Sequence, residues 1–536
     1  MRRRLADSGT ALHRAFLAWL GQERLLLLAI LAVGCAVRVV ARQSVPNGFN
    51  NDEASLGYDA YSILKFGVDR HGIAYPAFLI GWGSGMNALS AYLAMPFIAW
   101  FGLSEASVRA VNLLGGLASL VVFHALVRKT CDRKTALWAV LLLALCPWHV
   151  MMSRWALECN LLPSMFLLAL WLLLEGTRRP RLLVAAGAGF GLCLYAYGTA
   201  YFAVPAFLLM AAAYLLWTRR IRLTVLGLAA TAFAAVATPI AAVIWANGDH
   251  GHSVQSFRLA GIGIPVMPTV ARYKTVSSLF GRHVLARCWD NLSTLWSVVA
   301  KQDDGLIWNS FANHGILYPF GMAFALVGLL VVISHPRRWR TFEPRVLFLL
   351  WLASAILLAM VQDVNINRIN LLWPPLVFFA AVGLRAVART RLVAGLLVVV
   401  HVALFAAFSY DYFGDYRDRT AGAFYPGYGP AIRAASHAVS GNICATNNPC
   451  FSYAFVLFYD LTDPREFART VVYEAGGGEF QGVRSFGRYT FGIDRCPSDT
   501  QAWILDNRDV DRFQSRAARI ESFANYSVVV AQSVKN

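Results

Sequence analysis

Apolar runs long enough to cross about 30 Å of hydrocarbon, about 20 residues each, recur between Arg24 and Ser409, separated by short polar connections. Eleven of them read as transmembrane helices: residues 24–42, 104–127, 135–152, 160–176, 182–197, 200–217, 223–246, 315–334, 346–361, 369–387 and 392–409. A further run, NALSAYLAMPFIAWFG (87–102), would put every later basic cluster on the wrong side if it crossed, so it reads as an interfacial or re-entrant helix. Beyond residue 409 the pattern changes: alternating pieces such as QAWILD and YSVVVAQ mix with the more helical SYAFVLFYDL, as expected of a small α/β domain over 410–536.

Composition and charge fix the setting. A chain of 536 residues that is 57% hydrophobic and 15% charged is a polytopic membrane protein, not a soluble globule around one core. The net charge of +18 does not point to nucleic acid, because the cations are clustered between the apolar runs. The N-terminus and the segments 128–134, 178–181, 219–222, 335–345 and 385–391 hold 21 Lys or Arg. The short connections 43–85, 153–160, 197–200 and 362–368 hold four: Lys65, Arg70, Arg154 and Arg368. The positive-inside rule puts the first set in the cytoplasm and the second outside. The chain is thus expected in the plasma (inner) membrane with a cytoplasmic N-terminus, a retained first span in place of a cleaved signal, a membrane domain over 1–409 and an extracytoplasmic domain over 410–536. The first outer loop is 43–103, with interfacial helices, and a long outer loop is 247–313. The nine cysteines are scattered and form no metal-ligand spacing. Cys444 and Cys450 either pair or remain free thiols.

The outer connections gather ionisable groups. NGFNNDEASLGYDAY (47–61) carries Asp52 and Glu53 at the start of an amphipathic helix, with Asp52 placed as its N-cap, and an acid at an N-cap needs no chemistry to explain it. Three other observations weigh against that structural reading. Glu158 lies on the same face with Arg154 one turn before it, GVDRHG supplies Asp69, Arg70 and His71, and Arg368 opens an apolar span where a cation needs an anionic partner. Carboxylates and arginines at the outer bilayer edge suit transfer from a lipid phosphate. A carboxylate takes the proton of an attacking hydroxyl, and cations hold the departing phosphate.

These residues resemble those of the glycosyltransferase C superfamily, in particular bacterial enzymes similar to protein O-mannosyltransferases and to the aminoarabinose transferase of lipid A. The pieces are NDEASLGYDAYSILKFGVDRHG, AMPFIAWFGLSEASVRAVNLLGG, CPWHVMMSRWALECNLLP, LYAYGTAYFAVPAFLL, NHGILYPFG and NINRINLLWPPLVFF, in order over most of 47–385. The resemblance implies a polyprenyl-phosphate-sugar donor, an outward-facing site and an inverting transfer to an envelope glycan, a glycolipid or a protein. Carried over by position, it makes Asp52 the base, Glu53 its neighbour in the acid pair, Glu158 with Arg154 the second-loop acid and its partner, and Arg368 a contact of the carrier phosphate. One departure stands out. Related enzymes often have a Lys in the first loop that helps hold the phosphate, whereas here GWGSGMNAL puts Met86 at that place, so phosphate binding falls to Arg70, Arg258, Arg272 or Lys274.

Tyr58, His71, Tyr195, Tyr197 and Tyr201 are candidate contacts of the carrier lipid or sugar, the last three also fitting an aromatic belt. Asp303, Asp304 and His314 read as solvated loop residues, with an acceptor path or a divalent ion as the alternative, and no metal site is indicated. Arg38 is expected to snorkel to the interface, Gly187, Gly189 and Gly191 to pack helices, and His250 and His252 to form a turn. Two other classes fit the setting. A lipid-linked glycan transporter or flippase would carry charges at mid-membrane on broken helices, whereas here they gather at one edge. A non-catalytic partner in envelope polysaccharide assembly would lack donor chemistry of its own.

Overall fold

In the computed structural model, residues 2–248, 255–280, 283–311, 313–474 and 479–532 are described, with the side chains of 2–20, 337 and 338 left aside. His250 and His252 lie outside the described residues. Each of the eleven apolar runs falls on helix, as hydrocarbon requires of a backbone whose polar groups find no water. Among the described residues six helices are long and apolar enough to cross a membrane: Glu105–Thr130, Glu158–Gly176, Ala200–Trp217, Leu223–Ala246, Asn370–Val387 and Arg391–Phe413. Pro180–Cys193, Tyr318–Ile333 and Val346–Val361 are shorter apolar helices. The run 135–152 breaks into Arg133–Leu145 and Pro147–Met152, because Pro147 brings no N–H and clashes with the turn before it. Small residues bring helices close: a Cβ on Gly187 would lie 2.1 Å from the carbonyl of Ala229 in the neighbouring helix. Arg38 departs from the expected snorkelling. It is buried and donates to the carbonyls of Gly34 (2.7 Å), Ala144 (3.0 Å) and Leu143 (3.1 Å), capping the broken end of the helix Arg133–Leu145.

Leu89–Phe101 has an amphipathic character. Ala91, Ala94 and Ile98 are buried against neighbouring helices, while Trp100 and Phe101 are exposed. The helix that carries the acid pair, Asn51–Phe66, differs from the expected surface helix, since Glu53 to Ala60 are all buried. The reason is a cover supplied by the end of the chain. Residues after 413 form a seven-stranded sheet in the order Ala517–Phe523, Tyr526–Ala531, Ala502–Asp506, Ile443–Ala445, Tyr489–Phe491, Val483–Phe486, Val472–Tyr473. Ile443–Ala445 runs parallel to both its neighbours and the other pairs are antiparallel. The helix Ser452–Tyr459 of this α/β unit packs on Asn51–Phe66, and Ala54, Leu56 and Tyr58 share one hydrophobic core with Phe455, Leu457 and Phe458. Cys444 is bonded to Cys496, with their Cα atoms 5.5 Å apart, and Cys450 is a free, exposed thiol. The pairing of Cys444 with Cys450 is therefore corrected. Cys444 sits in the central strand facing the turn that follows Tyr489–Phe491, whereas Cys450 lies beyond the strand's end.

Candidate active site

Asn50, and not Asp52, caps the helix of the acid pair. Its side chain accepts from the Asp52 N–H (2.9 Å), while the Glu53 carboxylate returns to the Asn50 N–H (3.0 Å), a reciprocal capping box. This division of labour frees the Asp52 side chain from the backbone. Its Oδ1 accepts from Trp82 Nε1 at 2.8 Å, and the carboxylate opens into a cavity of about 540 Å³. Burial pushes the Asp52 carboxyl above its usual range, and the nearby Glu53 charge adds to the rise, while the Trp82 hydrogen bond and Arg272 oppose it.

Glu53 faces the other way. Its two oxygens accept from Arg109 Nε and Nη2, both at 2.7 Å, and from the backbone N–H groups of Asn50 and Ala156, the last at 2.8 Å. All four acceptor directions are used and the pair is buried, so the structure gives Glu53 a scaffold position that ties the first outer loop to the second.

The cavity collects residues from four separated segments. Trp82, Gly85 and Met86 come from the first outer loop, Trp155 and Glu158 from the second, Arg272 from the long loop, and Asn365, Asn367 and Arg368 from the connection before the penultimate apolar helix. Tyr425, Cys450, Phe451 and Phe480 of the C-terminal unit form its roof. A second cavity of about 220 Å³ adjoins the first and is walled by Phe78, Phe202, Ile244, Phe280, Leu358 and Val361. Gly85, Glu158, Tyr197, Arg272 and Arg368 line both. An apolar recess thus meets a polar chamber at two arginines, with Asp52 on the polar side.

The loop that holds Trp82 is shaped by glycine. Gly85 has φ +105°, and a Cβ there would fall 2.1 Å from the Phe78 ring. Trp82 stacks on Phe451 at 4.4 Å and has the Arg70 guanidinium 5.8 Å from its ring centre, and these contacts hold the donor to Asp52 in place. The Arg272 backbone N–H donates to the Ser84 carbonyl at 2.8 Å, which pins this arginine beside Met86. Arg272 also lies 3.6 Å from Glu479, and Arg368 lies 3.5 Å from Asp363. The Asn87 N–H donates to Glu158 Oε2, fixing that carboxylate at the junction.

Several expected residues lie elsewhere. Arg154 does not pair with Glu158: the chain leaves helical geometry after Met152, and the guanidinium donates instead to the carbonyls of Val37 (2.7 Å), Val40 (2.8 Å) and Val45 (3.0 Å). Arg70 is buried in a bidentate pair with Asp59 (2.7 and 2.9 Å) and lines neither cavity. Burial raises the neighbouring Asp69 carboxyl to about 7 and lowers His71 to about 4. His71, near Tyr473, lies outside both cavities, as does Lys274. Tyr58 donates to the Thr462 carbonyl (2.5 Å) and Tyr195 to that of Val236 (2.8 Å), both packing roles. Tyr197 lines both cavities, and Tyr201 lines the apolar one while accepting from Asn87 Nδ2 (3.1 Å). Arg258 donates to Gly261 in its own hairpin. Asp304 accepts from Asn309 and the Ile366 N–H, and His314 bonds Asp411, so these loop residues hold the loop. Among the described residues no group of three or more His, Cys, Asp or Glu side chains converges as metal ligands do. Sequence reasoning passed over Trp82, Asn87 and the roof aromatics. Only the Trp in the glycine-rich GWGSG carried a signal, as a bulky side chain in a loop otherwise built to be tight.

Residues 88–245 match the family model for dolichyl-phosphate-mannose-protein mannosyltransferase. No curated protein sequence matches the chain. Its structure is similar to that of ArnT from Cupriavidus metallidurans in the apo state, at 11% identity and a TM-score of 0.53, covering 96% of this chain and 98% of that one. The same protein bound to undecaprenyl phosphate gives 13% identity and a TM-score of 0.54, covering 95% and 98%. At such identities the likeness is one of fold. The resemblance to the glycosyltransferase C superfamily read from the outer-loop motifs therefore holds, as a family-model match over 88–245 and as a shared fold over nearly the whole chain.

Proposed function

We propose that this chain is an integral-membrane glycosyltransferase of the plasma membrane that moves a sugar from a polyprenyl-phosphate donor to a hydroxyl of an extracytoplasmic acceptor. An envelope glycan or glycolipid is favoured over a protein. The observation that carries the reading is the junction of the two cavities. The apolar recess suits the first isoprene units, the polar chamber suits a sugar and its acceptor, and Arg272 and Arg368 stand where a phosphate between them would lie. The fold shared with ArnT, a protein seen with undecaprenyl phosphate, supports it.

Asp52 accepts the proton of the acceptor hydroxyl as its oxygen bonds to the anomeric carbon. The bond from that carbon to the phosphate oxygen breaks on the opposite face with inversion, and the polyprenyl phosphate leaves with the electron pair. The two arginines hold the charge that gathers on it, a charge-assisted interaction strengthened where water is excluded. Arg272, pinned to Ser84 beside Met86, supplies the cation that related first loops take from a lysine. Trp82 positions the base. Glu53 and Arg154 act as scaffold, and Glu158, at the boundary, faces the sugar.

The test is transfer in vitro from a panel of polyprenyl-phosphate sugars, read by mass spectrometry of the acceptor fraction, alongside the surface glycans of a deletion strain. Transfer by the parent and its loss in a folded Asp52→Asn variant supports the reading. Undiminished transfer by that variant, or none by the parent from any donor, overturns it.

A further inference from the structure

A third cavity lies at the other end of the bundle, the end that the charge pattern assigns to the cytoplasm. It encloses about 640 Å³ between the first apolar helix and the helices Arg133–Leu145, Trp373–Val387 and Arg391–Phe413. Its composition is divided. Lys134, Arg385, Arg389 and Arg391 line one end, Leu26, Trp138, Leu141 and Val398 line its apolar wall, and no carboxylate lines it. Arg385 reaches Asp132 at 3.5 Å, whereas among the described residues Lys134, Arg389 and Arg391 form no ion pair. Leu26 and Val398 at its lip are 56% and 38% exposed, so the wall opens sideways where lipid chains would lie.

Positive charge beside a bilayer follows from topology alone. A cavity between helices is more than a charged surface: it joins four cations to a trough that reaches into the apolar zone, a shape matched to a phosphate head and the upper part of an acyl chain. We infer that this cavity binds an anionic phospholipid of the cytoplasmic leaflet, its phosphate held by Lys134, Arg389 and Arg391 and one chain laid along Leu26, Trp138 and Leu141. The site is remote from the Asp52 cavity and independent of the reaction proposed there.

The test uses the full-length protein in nanodiscs of phosphatidylcholine with a minor fraction of phosphatidylglycerol, counting retained lipid by native mass spectrometry. One phosphatidylglycerol is expected to remain in preference to phosphatidylcholine. Occupancy is expected to fall about tenfold or more in the Lys134→Gln/Arg389→Gln/Arg391→Gln variant, consistent with an appreciable attraction from each cation. Two comparisons separate a site from general attraction. Replacing Arg219, Arg220 and Arg222 by Gln removes as many charges from another cluster and is expected to leave occupancy unchanged. Ala394 also lines the trough, so Ala394→Trp fills it without changing charge and is expected to abolish retention, which keeps the test decisive should the triple variant misfold. Retention by Ala394→Trp, equal loss in both triple variants, displacement by millimolar inorganic phosphate, or no preference over phosphatidylcholine would each overturn the inference.

Discussion

Adjacent acids with opposite duties give the sharpest prediction. In Glu53→Ala, Arg109 stays buried, 2% exposed, without the carboxylate of its ion pair. Removing one partner of a buried pair costs about 3–5 kcal/mol. The N–H groups of Asn50 and Ala156 also lose their acceptor, at about 1–3 kcal/mol for each that water does not reach. These contributions overlap, so a loss of at least about 4 kcal/mol is expected, a large share of the margin by which folded domains persist. Glu53→Gln/Arg109→Gln, which removes both charges, is expected to recover part of it, with a coupling of about 0.5–3 kcal/mol. The assay is the fraction of protein that stays monodisperse by size exclusion after a graded heat step in detergent, followed by turnover of the surviving fraction. Asp52→Asn, one residue away, is expected to survive heating like the parent and to be inactive. A Glu53→Ala protein as heat-resistant as the parent, with turnover lost, would refute the reasoning and return Glu53 to the chemistry.

Asp52→Asn is expected to lower kcat about 10²- to 10⁴-fold, the usual contribution of a positioned base, measured with saturating donor. Because burial raises the Asp52 pKa, and only the ionised form accepts a proton, activity is expected to fall as pH drops through that raised value. The acid limb then lies above the range of a free carboxylate, and Trp82→Phe, which removes a hydrogen bond favouring the anion, is expected to move it higher still in a pH–rate profile. Arg272→Gln and Arg368→Gln are each expected to weaken donor use by about 10- to 100-fold, as loss of about 1.5–3 kcal/mol from a charge-assisted hydrogen bond implies, measured as kcat/KM for the donor. Cys444→Ala/Cys496→Ala opens a loop spanning 52 residues and is expected to cost the C-terminal unit about 4 kcal/mol by chain entropy, seen as faster limited proteolysis. An impermeant maleimide added to intact cells is expected to label Cys450 from outside and to do so more slowly when polyprenyl phosphate is present.

The apolar helices were legible because hydrocarbon leaves a backbone few options: each of the eleven apolar runs falls on helix, with ends displaced by a few residues and the run 135–152 split in two at Pro147. Asp52, Glu158, Tyr197 and Arg368, which line the cavity, stand out from residue type and topology, since ionisable and aromatic groups at one bilayer edge have few reasons to gather. Arg272, by contrast, is one of four cations that the sequence offers without choosing among them. The misplacements share a cause. Glu53, Arg154 and Arg70 carry charges identical in type to those of the site, and only tertiary partners, Arg109, three backbone carbonyls and Asp59, decide that they point inward. Nothing local in NDEASLG tells which acid will meet an arginine 56 residues away. Arg154 and Glu158 have helical spacing in a stretch that is not helical, so the rule for paired side chains was applied where its geometry does not exist. The roof escaped because Phe451 and Phe480 reach the site from a unit whose pairing pattern involves distant strands.

That roof has a bearing on biogenesis. Tyr425, Cys450, Phe451 and Phe480 follow every apolar helix of the bundle in chain order, so they leave the ribosome after those helices. Until they settle, Trp82 lacks the ring it stacks upon and Asp52 faces open water. On the function proposed above, a polypeptide still lacking this unit would be inert, and activity would begin only once the unit has packed on Asn51–Phe66 and closed the chamber.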